Sequence, residues 1–142
     1  MRTVVAYVTK GGGSKECAEM LAAEIGDCVL CDLNEKTPNI DEYDTVVIGS
    51  GIRMGGAYKP FKKFLSENAD ALLKKNIAIF VCNVETEKYM KFVEKAVPEN
   101  IRKAAFRIST FGGKPPFGGK KDTVWMLRDE VSEFAKAVRE KA

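Results

Sequence analysis

This sequence predicts an α/β three-layer sandwich, with helices on both faces of a five-stranded parallel sheet ordered 2-1-3-4-5. Three observations point there. Five short runs rich in Val and Ile recur along the chain, mostly continuous rather than alternating, as strands covered on both faces are. Segments with helical spacing lie between them, which favours right-handed crossovers between parallel strands. Glycine-rich turns follow the first and third runs; in this strand order both meet above the C-terminal ends of strands 1 and 3, where the winding reverses. With 142 residues, 45% of them hydrophobic and 30% charged, the chain reads as one domain, residues 1–142, of ordinary globular composition.

The runs are Thr3–Val8, Asp27–Asp32, Thr45–Gly49, Ile77–Cys82 and Ala105–Ser109. After the first, Ala18, Leu21, Ala22 and Ile25 fall at i, i+3, i+4 and i+7 of a helix. Residues 34–43 show no strong periodicity and read as a loop or a single turn. Pro60 suits a first helical turn, and Phe61, Phe64, Leu65 and Leu72 continue that helix. Tyr89, Phe92, Val93 and Ala96 make a shorter one, stopped near Pro98. Residues 110–121 hold four glycines, two prolines and three lysines and read as a long exposed loop. Leu127, Val131, Phe134, Ala135 and Val138 make the last and clearest helix.

No apolar run approaches the ~20 residues of a membrane helix. Val4 to Val8 is too short for a secretory core and Lys10 follows at once, so a cytoplasmic location is expected. Histidine is absent, which excludes Ser/His/Asp and Cys/His chemistry. Cys28-Val29-Leu30-Cys31 has the spacing of a redox or zinc motif. Inside a strand, however, its cysteines point to opposite faces, so they read as small apolar thiols and no metal is expected. Residues 1–71 carry 8 bases against 11 acids, and residues 72–142 carry 15 against 9. From Ile101 to Lys121 there are six bases (Arg102, Lys103, Arg107, Lys114, Lys120, Lys121) and no acid. This is either a solvated basic face or a docking surface for an acidic protein or an anionic membrane. Phe111 and Phe117 either rest on such a surface or fold back onto the core. No recognition motif accompanies the charge, so no nucleic acid is expected.

The turn after strand 1, Thr9-Lys10-Gly11-Gly12-Gly13-Ser14-Lys15, suits a phosphate. Glycines let main-chain N–H groups converge, Thr and Ser add hydroxyls, and the helix start adds partial positive charge. The spacing fits neither a Walker A loop nor the G-x-G-x-x-G dinucleotide fingerprint. With further loops at the ends of strands 3 and 4, the chain resembles the flavodoxin family, including the flavodoxin-domain branch that contains menaquinone-linked protoporphyrinogen dehydrogenase. That family carries a Ser/Thr-x-Ser/Thr-Gly-x-Ser/Thr pattern wrapped round the phosphate of FMN. Residues 9–14 match it, with Gly11 in place of a hydroxyl residue. That departure removes one hydrogen bond and is expected to weaken FMN binding about tenfold. Residues 47–56, Val-Ile-Gly-Ser-Gly-Ile-Arg-Met-Gly-Gly, resemble the loop that reaches the isoalloxazine ring, and Gly49 to Arg53 is similar to the protoporphyrinogen dehydrogenase branch in particular. Residues 81–85, Val-Cys-Asn-Val-Glu, fall where the opposite ring-edge loop belongs.

The resemblance implies one FMN bound noncovalently. Thr9, Lys10, Gly11, Gly12, Gly13 and Ser14 would hold its phosphate; Ser50, Gly51, Ile52, Arg53, Met54 and Gly55 would flank the ring on one side and Cys82, Asn83 and Val84 on the other. The bland alternatives are a plain strand–helix turn, a loop methionine on the core, a surface arginine and a core cysteine. Trp125 and Tyr58 read as packing residues. Gly55-Gly56 can flip its peptide at little steric cost and turn a carbonyl toward the ring edge. The flavin would carry the chemistry, and no catalytic side chain is named. The function implied is a flavodoxin-type electron carrier working with redox partner proteins, acidic ones included. The alternative is a flavin-dependent dehydrogenase or quinone reductase, with a quinone as partner and peripheral membrane contact. A flavin-free scaffold or sensor is a third reading, opened by Gly11.

Overall fold

The computed structural model describes residues 2–114 and 125–141. Its strands are β1 (Thr3–Val8), β2 (Val29–Asp32), β3 (Thr45–Arg53), β4 (Gly56–Ala57), β5 (Asn76–Cys82) and β6 (Arg107–Thr110). Its helices are α1 (Gly13–Ile25), α2 (Lys59–Glu67), α3 (Ala69–Leu72), α4 (Tyr89–Ala96), α5 (Glu99–Ala104) and α6 (Arg128–Lys141). The sheet runs β2-β1-β3-β5-β6, parallel throughout, and β4 pairs antiparallel with the end of β3. The five parallel strands therefore take the predicted order 2-1-3-4-5.

Alternation along the strands feeds two cores. Val4, Val46, Ile48, Ile77 and Ile79 face Phe61, Phe64, Leu65, Val93 and Ile101 of α2, α4 and α5. Val5, Val47, Ala78 and Phe80 face Cys17 and Leu21 of α1 and Val131 and Phe134 of α6. All six residues of β1 are buried, which is why the run shows no polar alternation. Each fully buried aliphatic or aromatic side chain contributes about 1.5–3 kcal/mol, so the central strands anchor the cleft built on their ends. The Phe80 ring lies flat across Gly49, where any Cβ would collide with it, and stacks on Phe111 at 4.8 Å.

Several expectations need correcting. β3 continues four residues past Gly49, so the glycine-rich stretch after it is a hairpin rather than an open loop. β2 starts at Val29, because Gly26 closes α1 and residues 27–28 complete the connection. The last strand is shifted to 107–110, since α5 extends to Ala104. That helix was not anticipated: Pro98 ends one helix and also begins the next, where its missing N–H costs nothing. Residues 34–43 hold a single 3-10 turn, Ile40–Glu42, as the reading allowed. Phe111 is fully buried, edge-on to Phe134 at 5.2 Å, and offers nothing to a membrane or partner. Phe117, Lys120 and Lys121 lie outside the described residues. Cys31 packs in one core and Cys28 against the other, so the C-x-x-C pair does straddle the sheet. No group of His, Cys, Asp and Glu that could hold a metal occurs among the described residues, and no helix there is long and apolar enough to cross a membrane.

Candidate functional site

Three chain segments leave the C-terminal ends of adjacent strands β1, β3 and β5. The first is the turn into α1. Gly12 stands at the helix N-cap with φ 86°, a left-handed conformation that glycine adopts without a Cβ penalty. Its N–H donates to Thr9 Oγ1 at 2.9 Å, and Asn34 Nδ2 donates to the Thr9 carbonyl at 3.1 Å. Thr9 thus shapes the turn as well as bordering it. The first-turn N–H groups of Gly13, Ser14 and Lys15 have no intrahelical acceptor, as at any helix start, and aim at the mouth of the turn.

Ser14 is the telling residue. It is 3% exposed, and its hydroxyl makes no hydrogen bond among the described residues. The oxygen itself is not sealed from solvent, so its donor is free for a ligand oxygen at the mouth of the turn. Gly51 covers it from β3: a Cβ on Gly51 would stand 2.9 Å from Ser14 Oγ and 3.0 Å from the Tyr58 ring. Above Gly11 and Gly12 a Cβ would meet nothing within 4 Å, so the mouth of the turn is open. Two lysines border it. Lys10 Nζ sits 5.4 Å from the centre of the Tyr58 ring, a cation–π contact, and Lys15 is exposed.

The second segment is the β3–β4 hairpin. Its two-residue turn, Met54-Gly55, has positive φ at both positions, 52° and 79°, as a type I′ turn requires. A methionine in that conformation is strained by about 1–2 kcal/mol. The residue is 99% exposed, so no contact among the described residues compensates. Ser50 is fully buried and works within the hairpin, accepting from Tyr58 N at 3.2 Å and donating to the Gly51 carbonyl at 2.8 Å. Ile52 packs against the α2 side of the core, and Arg53 is exposed.

The third segment follows β5. Asn83 is 2% exposed; it donates from Nδ2 to the Glu85 carbonyl and accepts from Thr110 Oγ1 at 2.6 Å. Its amide therefore ties the tip of β5 to the end of β6, and only its main chain is available to a ligand. Cys82 is 6% exposed and packs in the core beneath α1 beside Cys17. The neighbouring Cys82 and burial push the Cys17 thiol far above its ordinary value, and both side chains are buried in the core. Val84 is 61% exposed, giving the β5 tip an apolar side chain to match Met54 on the neighbouring tip.

The chain thus brings together every predicted site residue except the side chains of Ser50, Ile52, Cys82 and Asn83, which serve the scaffold. The composition reading missed a fourth segment, residues 111–114. Gly113 lies on the main chain of Asn83 and Val84, where a Cβ would collide with both. Lys114 then packs on Gly13, its Cβ 3.4 Å from where a side chain there would begin. The basic stretch is also more neutral than its sequence: Lys103 pairs with Glu99 at 2.9 Å, Arg107 with Glu130 at 3.0 Å and Lys114 with Glu16 at 3.5 Å.

Comparisons with known proteins supply the family and the fold. A family model described as a flavodoxin domain matches residues 4–115. Protoporphyrinogen IX dehydrogenase [quinone] of Escherichia coli strain K12 is 29% identical over 104 residues, which cover 70% of this chain and 55% of that protein. The chain spans about half the length of the curated relatives it matches. Among solved structures, a flavodoxin from the domain Archaea superposes with TM-score 0.63 at 16% identity, covering 99% of this chain and 98% of that one. A Fusobacterium nucleatum flavodoxin bound to flavin mononucleotide gives 0.61 at 7% identity, with 99% of each chain covered. At these identities the structural likeness is one of fold.

Proposed function

Since the chain belongs to the flavodoxin-domain family, we propose that it holds one FMN noncovalently across the C-terminal edge of the sheet and works, as one cytoplasmic domain, as a carrier of electrons between redox partners. The observation that carries the reading is the Ser14 hydroxyl, without a partner among the described residues, beside the outward-facing N–H groups of the first turn of α1. A ligand oxygen with several lone pairs satisfies all of them at once, and a phosphate is such a ligand. The open space above Gly11 and Gly12 fits that group.

Bound FMN supplies one- and two-electron transfer at its ring, and the residues of this chain supply position and surroundings. Thr9, Gly12, Gly13 and Ser14 hold the phosphate. Met54 and Val84, exposed on neighbouring tips, offer apolar surface to the ring faces and exclude water from them. Main-chain groups of residues 51–55 and 83–84 meet the ring edges, because the side chains of Ser50 and Asn83 are engaged within the fold. The visible spectrum of the purified protein tests this reading. Yellow protein with flavin absorption, or colourless protein that takes up FMN stoichiometrically, bears it out; colourless protein indifferent to excess FMN ends it.

A second reading has its own support. The match to a quinone-linked dehydrogenase includes the segment Gly49 to Arg53, and Arg53 is exposed beside the cleft. On that reading the chain is a dehydrogenase or quinone reductase and a quinone is the acceptor. Fast reoxidation of the reduced, loaded protein by menadione favours the enzyme; slow reoxidation by menadione with fast transfer to a protein acceptor favours the carrier.

A further inference from the structure

We propose that Lys114 is a side-chain cation for the bound phosphate, kept at the mouth of the β1–α1 turn by Glu16 and delivered there by the segment that follows β6. The proposal rests on the reading that this turn holds the phosphate of FMN and names a residue of that site outside the turn itself.

Delivery is built into the fold. Thr110 Oγ1 donates to Asn83 at 2.6 Å and accepts from Gly112 N at 3.3 Å, which fixes the start of the segment on the tip of β5. Gly113 lies against the Asn83–Val84 main chain, a seat that any Cβ would block. The next residue, Lys114, comes to rest on Gly13, in the first turn of the helix whose N–H groups face the open mouth.

Charge gives the lysine a task. Glu16 lies in the same first turn; one of its carboxylate oxygens is buried without a partner among the described residues, and the other is 3.5 Å from Lys114 Nζ. A carboxylate so close to an incoming dianion opposes its binding. Lys114 offsets that opposition. Its ammonium carries three rotatable donors on a flexible stem, enough to serve Glu16 and a phosphate oxygen together. Lys10 lies over the Tyr58 ring, whereas Lys114 is tied to the first turn of α1 by its pair with Glu16. Because Lys114 and Glu16 are about half exposed, at 48% and 41%, the effect is screened by salt.

The test compares FMN with riboflavin, which lacks the phosphate, by titrating the quenching of flavin fluorescence on the full chain. At about 10 mM salt, where charges act over ~30 Å, Lys114→Ala is expected to weaken FMN binding about five- to tenfold, and at ~1 M salt by less than twofold. Riboflavin binding is expected to be unchanged. Glu16→Gln is expected to tighten FMN about threefold at low salt and to leave riboflavin alone, and Lys114→Ala added to it is expected still to weaken FMN and not riboflavin, a loss that a merely structural role for Lys114 does not produce. Lys114→Arg is expected to restore most of the loss. Equal weakening of both flavins by Lys114→Ala, or no weakening of either, overturns the proposal while leaving the cofactor reading intact. Wild-type protein that binds neither flavin overturns both.

Discussion

The two ends of the cleft use their polar groups in opposite ways. At the β1–α1 turn, the Ser14 hydroxyl and a fan of N–H groups face outward with no partner among the described residues. At the tips of β3 and β5, the buried polar side chains face inward: Ser50 closes the hairpin and Asn83 joins β5 to β6. What faces outward at those tips is apolar, Met54 and Val84. Similar residue types at the ends of neighbouring strands thus do binding work in one place and folding work in the other. Side chains at the first end should register in ligand affinity, and side chains at the second in stability.

The largest effect expected from this contrast is at Asn83. Asn83→Ala leaves the Glu85 carbonyl and the Thr110 hydroxyl without their partners in a site that is 2% exposed. A loss of about 2–3 kcal/mol in unfolding free energy is expected, read from urea denaturation of the unloaded protein. FMN affinity should fall less than stability does, through slackening of the segment that carries Lys114. An unfolding midpoint within error of the wild type's would mean that the amide is not engaged as described, and the contrast between the two ends would collapse.

Ser14→Ala is the mirror experiment. Its hydroxyl has no partner among the described residues, so its removal is expected to leave unfolding of the unloaded protein within about 0.5 kcal/mol of wild type. One hydrogen bond to a charged oxygen is worth about 1.5–2 kcal/mol, so FMN binding should weaken on the order of tenfold to thirtyfold. Riboflavin binding should barely change. If the variant instead loses stability and keeps its FMN affinity, Ser14 belongs with Asn83 among the residues that hold the fold.

The two ends also differ in how far the sequence discloses them. β1, β3 and β5 are legible because continuous Val and Ile runs have one physical solution in a soluble fold, burial on both faces. Residues 9–14 are legible because glycines next to hydroxyl residues, between a strand and a helix, make an anion site out of main chain, and main-chain chemistry follows from spacing. The ring end depends on side-chain direction. Spacing puts Asn83 at the tip of β5, but the bond that turns its amide inward comes from Thr110, 27 residues on. Lys114 reads as one base in a basic loop; its ion pair with Glu16 spans 98 residues and exists because Gly113 can lie flat on another loop. The β3–β4 hairpin escaped notice because Gly-Ser-Gly-Ile-Arg lacks the apolar alternation of a strand, and its turn is Met-Gly rather than the Asn-Gly that announces a type I′ turn. α5 escaped because a proline stops one helix and opens another by the same loss of a donor.

Met54 gives the smallest effect and the sharpest sign. It holds φ at 52° with its side chain 99% exposed, so the unloaded protein carries the strain and gains no contact from the methionine. Asn tolerates the left-handed conformation far better and is the residue that type I′ turns favour there. Met54→Asn is therefore expected to stabilise the unloaded protein by about 0.5–1 kcal/mol, measured by urea denaturation. The same change removes a polarizable side chain suited to packing on a flat ring, so FMN and riboflavin should both bind a few-fold more weakly, by equal factors. That pairing of a more stable fold with a weaker site is what a residue kept for its ligand predicts. A less stable Met54→Asn protein would mean that the thioether is packed against the chain in solution, and the outward-facing character of the ring end would have to be withdrawn.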